Sequence, residues 1–154
     1  MLRTGSVLVA AMGAFLAVSP ASAQSTDSAP SIEHCPPRLG GTPHPGPYNV
    51  YFDFAKSVLD RQQTAEVHKR AKQAKDIFVT QICLLGYADK VGNPASNKQL
   101  GLARARTVAS ILMADGIPAK NITMDTGGEA YGSATFGDYD RNKADRRVTI
   151  VFNR

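Results

Sequence analysis

Ile77-Phe78-Val79-Thr80-Gln81-Ile82-Cys83-Leu84-Leu85-Gly86 is the most strongly apolar run beyond the first residues of the chain, and its length, β-branched content and closing glycine predict a central strand covered on at least one face. Upstream, Arg61 to Lys75 is rich in Gln, Ala, Glu and Lys, the composition of a helix. Its apolar contributors, Ala65, Val67, Ala71 and Ala74, are small, so this helix must lie close to a sheet. Before it, Tyr48-Asn49-Val50-Tyr51-Phe52-Asp53-Phe54 alternates aromatic and β-branched residues with polar ones, as a half-buried strand does, and Ser57 to Asp60 turns the chain. Downstream, Tyr87 to Pro94 reads as a loop from its Gly, Asn and Pro. Ser96 or Asn97 is the expected cap of a second helix, which the spacing of Leu100, Ala103, Thr107, Val108, Ile111 and Leu112 carries to about Asp115. Gly116 stops it. Asn121 to Gly127 alternates as a strand, Gly128 to Lys143 is a loop rich in Gly and Tyr, and Arg147 to Phe152 is a last strand. The order β-α-β-α-β-β, with no internal repeat, predicts an α/β (α+β) fold: a mixed sheet with two helices packed on one face.

The rest of the chain bounds what such a domain does. Residues 1–23 carry Arg3, the apolar run Val7 to Val18, a Pro20 break and Ala21-Ser22-Ala23, the pattern of a secretory signal peptide cleaved before Gln24. That run is too short to cross a bilayer as a helix, and no Cys follows the cleavage motif, so no transmembrane segment and no lipid anchor are expected in the mature chain. Residues 24–47 are rich in Pro and Gly and read as a linker or arm, leaving 48–154 as one domain. The expected location is the periplasm, in association with the outer membrane or the cell wall. Export permits Cys35 and Cys83 to pair; the bridge would close a loop of roughly 48 residues and be worth ~2–4 kcal/mol. A buried free Cys83 with an exposed Cys35 is the equal alternative, because sequence carries no distance information. The formal charge of +5 favours anionic partners only mildly, and without a basic run, an aromatic nucleic-acid pattern or zinc-finger spacing no nucleic acid is expected.

Enzyme signatures are lacking. Of the three histidines, His34 and His44 lie in the arm and His68 on an exposed helix face. There is no H-E-x-x-H, C-x-x-C or G-x-S-x-G. His34 with Cys35 makes an adjacent pair without a second pair of ligands, and Gly127-Gly128 lacks the Lys of a phosphate loop. Asp138 and Asp140 read as solvated loop carboxylates rather than a hydrolytic pair. Neither a cofactor nor a metal is expected, and no enzymatic activity. Two residues stand out instead: Asp89, in the loop after the central strand, and Arg104, within the apolar stripe of the second long helix, where a charge needs a partner. They either pair with each other or face water, or they serve a ligand.

Phe52-Asp53-Phe54-Ala55-Lys56-Ser57, Gly86-Tyr87-Ala88-Asp89-Lys90-Val91-Gly92, Asn97-Lys98-Gln99-Leu100-Gly101-Leu102-Ala103-Arg104-Ala105 and Asp145-Arg146-Arg147-Val148, taken in this order, resemble the OmpA-like peptidoglycan-binding domain family, which includes peptidoglycan-associated lipoproteins and flagellar-motor stator proteins. The resemblance covers residues from about 48 to 154, and the family's fold is the element order read above. It implies non-catalytic binding of peptidoglycan through the diaminopimelate residue of the stem peptide. That residue ends in an ammonium beside a carboxylate, for which a carboxylate plus a guanidinium is the complement. By similarity Asp89 holds the ammonium and Arg104 the carboxylate, through a planar fork suited to two parallel hydrogen bonds. Asn97 is either a helix cap or a ligand contact; Arg146 and Asp53 serve either structural pairing or binding. The chain departs from the family pattern at Ala88, where Thr is usual, at Gly101, where Ser is usual, and at Asp145, where Asn is usual before the Arg pair. A helical glycine costs about 1 kcal/mol against Ala, which points to close approach of ligand or backbone at Gly101. The alternative function is a periplasmic protein-protein interaction module on the same fold, with other envelope proteins as partners.

Overall fold

The computed structural model describes residues 30–32, 35, 45–129 and 143–153. The signal peptide read at 1–23, most of the arm at 24–47, His34, His44, and Asp138 and Asp140 in the last long loop lie outside the described residues. Among the described residues five strands form one sheet in the order β1-β4-β3-β5-β2: β1 (Ser31–Ile32), β2 (Tyr48–Tyr51), β3 (Gln81–Ala88), β4 (Ile122–Glu129) and β5 (Arg147–Asn153). β4 runs parallel to β1 and β3, whereas β5 is antiparallel to β3 and β2. Helices α1 (Arg61–Asp76) and α2 (Pro94–Ala114) complete the fold. The expected mixed sheet and two helices are therefore present, with one addition, since the segment read as an arm supplies the edge strand β1.

Both helices pack on one face. Val50, Ile82, Leu84, Ile122, Met124, Val148, Ile150 and Phe152 alternate inward along their strands and share a single core with Val67, Ala71 and Ala74 of α1 and Ala105, Val108, Ala109 and Leu112 of α2. α1 meets the sheet at β2 and packs beside α2. α2 sits closer: Gly86 on β3 and Gly101 on α2 face each other, and a Cβ built on Gly86 falls 1.9 Å from the Gly101 carbonyl oxygen. The helical glycine marks close approach of backbone, and the site end of α2 is seated directly on the strand that leads to Asp89.

Several boundaries differ from the sequence reading: β2 ends at Tyr51 rather than Phe54 and β4 runs to Glu129 rather than Gly127, and three further differences have a hydrogen-bonding reason. β3 begins at Gln81, not Ile77, because the amides of Ile77, Phe78 and Val79 close the C-terminal end of α1 onto the carbonyls of Gln73, Lys75 and Ala74. β3 also runs on through Tyr87 and Ala88, which pair with Gly128 and Glu129. The cap of α2 is Asn93, not Ser96 or Asn97: its side-chain oxygen accepts from the amides of Ala95 (2.8 Å) and Ser96 (3.4 Å), with Pro94 starting the helix. At the far end Gly116 adopts φ +90° and the Ile117 amide returns to the Leu112 carbonyl, so the helix stops where read. On the face away from the helices Cys83 is joined to Cys35 by a disulfide, with a Cα–Cα distance of 5.7 Å, which decides the alternative left open by the sequence.

Candidate functional site

The antiparallel pairing brings the C-terminal ends of β2 and β3 together with the N-terminal end of β5, and α2 returns over them from its own N-terminus. All five residues singled out in the sequence lie at this end of the sheet. The β2 ladder extends one step beyond the strand through the Phe52 amide, which donates to the Arg146 carbonyl (2.8 Å), so Asp53 and Arg146 are fixed on adjacent backbone.

Arg104 is 0% exposed. Its guanidinium is stitched to backbone oxygens from two segments: Nε donates to Lys56 O (2.9 Å), Nη1 to Tyr87 O (2.8 Å) and Nη2 to Asp53 O (3.3 Å), and it stands 5.3 Å from the Phe52 ring centre. Burial lowers its pKa to about 10, with Arg146 adding to the fall and Asp89 opposing it; it remains charged at neutral pH. Among the described residues three of its five N–H groups are used, leaving one on each terminal nitrogen. Nearby, Thr107 Oγ1 donates to the Ser57 carbonyl at 2.6 Å, so α2 pins the β2–α1 loop from beneath.

Asp89 is 3% exposed. Its Oδ2 accepts from Arg146 Nη1 at 3.3 Å, and Arg146 Nε donates to Phe52 O at 3.2 Å. The partner of Asp89 is thus Arg146 and not Arg104, with which it makes no direct ion pair among the described residues. Its Oδ1 carries no hydrogen bond among the described residues. Asn97 is buried inside the first turn of α2 and donates from Nδ2 to Val91 O at 3.1 Å, tying the loop after β3 to the helix. Asp53 contributes its carbonyl to Arg104, while its carboxylate turns to solvent beside Lys56 Nζ (3.3 Å).

Two further residues belong here that the sequence reading had not placed in the site. Asp145, in a 3-10 turn over Lys143–Asp145, is buried. Burial raises its pKa above the ordinary 3.8; the charge of Asp89 pushes the same way, while Arg147, Lys90 and Arg146 pull it down. Arg147 lies 3.7 Å from it and stacks 4.6 Å over the Tyr87 ring. Only adjacency to the Arg pair could have signalled Asp145, since its burial depends on how the turn folds back. Among the described residues no group of three or more His, Cys, Asp or Glu is placed to hold a metal, and no helix is long and apolar enough to cross a membrane.

Comparison with known proteins agrees with this architecture. The profile of the OmpA family matches residues 51–149, from the end of β2 into β5. Outer membrane protein A of Serratia odorifera is 34% identical over 114 residues, which is 66% of this chain and 47% of that protein; the chain spans about half or less of the length of the first such relatives. Among solved structures, the peptidoglycan-associated lipoprotein from Burkholderia pseudomallei superposes with a TM-score of 0.60 at 25% identity, covering 68% of this chain and 89% of that one. The C-terminal domain of Helicobacter pylori MotB shares the fold, with a TM-score of 0.58 at 19% identity over 71% of this chain and 86% of that one. On the family profile, the sheet order and the four motifs gathered at one end of the sheet, the chain belongs to the OmpA family.

Proposed function

We propose that this protein binds peptidoglycan without altering it, by holding the zwitterionic end of a diaminopimelate residue at the end of β3. The observation that carries the reading is the Asp89 carboxylate: buried, held through Oδ2 by Arg146, and with Oδ1 unpartnered among the described residues. A buried carboxylate oxygen without a donor is costly, and a ligand ammonium supplies the donor. Beside it the two N–H groups of Arg104 that carry no hydrogen bond among the described residues suit the ligand carboxylate. Arg104 is wholly covered, so a ligand reaches it only as the cover moves aside. The family membership and the likeness to a peptidoglycan-associated lipoprotein support the same reading. They favour the cell envelope as its location, with residues 1–23 as the export signal. The chemistry needs neither cofactor nor metal.

Titration calorimetry of the protein with meso-diaminopimelate tests this: binding is expected for the wild type and not for Asp89→Asn. Incubation with purified sacculi should release no soluble muropeptides, and their release would show an enzyme instead. A protein-interaction module is the second reading. It is favoured by Phe78, 81% exposed in left-handed backbone (φ 55°) at the opposite end of β3 from Asp89. Capture of an envelope protein lost on Phe78→Ser, with no binding to sacculi, would establish it.

A further inference from the structure

We propose that Asp145 is a specificity-determining residue of this site: its carboxylate is a second acceptor, beside that of Asp89, for the ligand's ammonium, so the site selects ligands with a free amine and releases them on acidification. The inference rests on the ligand-binding reading above and adds a residue to it. The Asp145 side chain is 9% exposed, and its nearest cation among the described residues, Arg147 Nη1, stands at 3.7 Å, too far for a hydrogen bond. One N–H of that nitrogen serves the Ala144 carbonyl at 2.7 Å, and its guanidinium lies over the face of Tyr87. Asp145 therefore holds a buried negative charge with no hydrogen-bond donor on it among the described residues. A residue serving the fold alone gains nothing from this arrangement, because an apolar side chain or an amide would fill the turn at lower cost.

The position explains the charge. Arg146, the next residue, spans from Phe52 O to Asp89 Oδ2, so the turn that carries Asp145 is anchored to the Asp89 loop. The charged groups that act on Asp145 come from both sides, Arg146 and Arg147 leading into β5 and Asp89 and Lys90 following β3. Asp89 and Asp145 repel each other, and burial holds the Asp145 carboxyl above its ordinary range. An ammonium brings three N–H donors and one positive charge, enough to serve Asp89 Oδ1 and Asp145 together. A metal ion would meet two carboxylates flanked by two guanidiniums, a poor donor set.

The test is the affinity of the protein for meso-diaminopimelate and for its N,N′-diacetyl derivative, from neutral pH down to about pH 4, for wild type and Asp145→Asn. Wild type should bind the free amine, lose it as Asp145 protonates, and bind the acetylated form poorly. Asp145→Asn should bind the free amine about tenfold more weakly at neutral pH with a flatter acid profile, and should leave the weak binding of the acetylated form unchanged; equal weakening of both ligands would overturn the proposal by showing a misfolded turn. Equal affinity and an equal pH profile for the two proteins would also overturn it while leaving the binding function standing. Absence of binding by wild type would remove the function and this inference together.

Discussion

Gly86→Ala couples the packing of α2 to the chemistry of the site. The new methyl carbon would stand 1.9 Å from the Gly101 carbonyl oxygen and 2.6 Å from its carbonyl carbon. Both are backbone, so no side-chain rotation relieves the overlap and α2 must lift from β3 by about 1 Å, enough to forfeit a quarter to a half of the dispersion attraction across the contact. The inner residues Ala105, Val108 and Leu112 lift with it. Arg104 lies one turn beyond Gly101, and its 2.8 Å bond to Tyr87 O would stretch past hydrogen-bonding range. Overpacking at about 1–3 kcal/mol plus one charge-assisted hydrogen bond at about 1.5–3 kcal/mol gives a loss of ~2.5–6 kcal/mol, a large share of a small domain's stability. Gly101→Ala is the control. Its Cβ meets Gly86 O and Thr126 Oγ1 at 2.8 Å, a smaller overlap though partly against backbone, and alanine returns about 1 kcal/mol of helix propensity, so it should destabilise by less than Gly86→Ala. Urea unfolding followed by circular dichroism measures both. A Gly86→Ala protein within about 0.5 kcal/mol of wild type, or a Gly101→Ala protein less stable than the Gly86→Ala one, would refute the reasoning.

Arg104→Lys should destabilise by ~2–4 kcal/mol even without ligand, because one ammonium cannot span carbonyls from Lys56, Tyr87 and Asp53; an unchanged urea midpoint would contradict this. Reducing the Cys35–Cys83 bridge, whose ends are 48 residues apart, should cost ~4 kcal/mol by loop-closure entropy, read as a fall in the unfolding midpoint with dithiothreitol. Because the Asp145 carboxyl titrates above 3.8 in the fold, the native state binds its proton more tightly than the unfolded chain. Its contribution to stability therefore falls as pH rises from near 3.8 through the raised value. Asp145→Asn should remove that part of the melting profile and melt higher than wild type at neutral pH.

The element order was legible in the sequence because each element carries its own period: alternation in β2 and β5, three-and-four spacing in α2, and an unbroken apolar run in β3. The four motifs singled out Asp89, Arg104, Asn97, Arg146 and Asp53, and the strand pairing gathers them at one end of the sheet. What stayed hidden depends on backbone accounting or on distance. Ile77 to Val79 looks like strand, yet its amides are claimed by the end of α1. Asn93, followed by Pro94, is the cap by hydrogen bonding, while Ser96 and Asn97 were equally plausible by type. The choice of Arg146 over Arg104 as the partner of Asp89 is set by the extra ladder step at Phe52, and the Cys35–Cys83 bridge by the route of a segment with no periodic signal. Asp145 was visible only as an unusual residue before the Arg pair.

The central claim is that the buried carboxylate at the end of β3 receives the ammonium of a cell-wall amino acid. Cosedimentation of the protein with purified diaminopimelate-type sacculi, for wild type and Asp89→Asn with their melting temperatures measured in parallel, tests it most directly. Wild type should pellet with the sacculi, and a folded Asp89→Asn protein should stay in the supernatant. Wild type remaining soluble, or both proteins pelleting equally, would contradict the account.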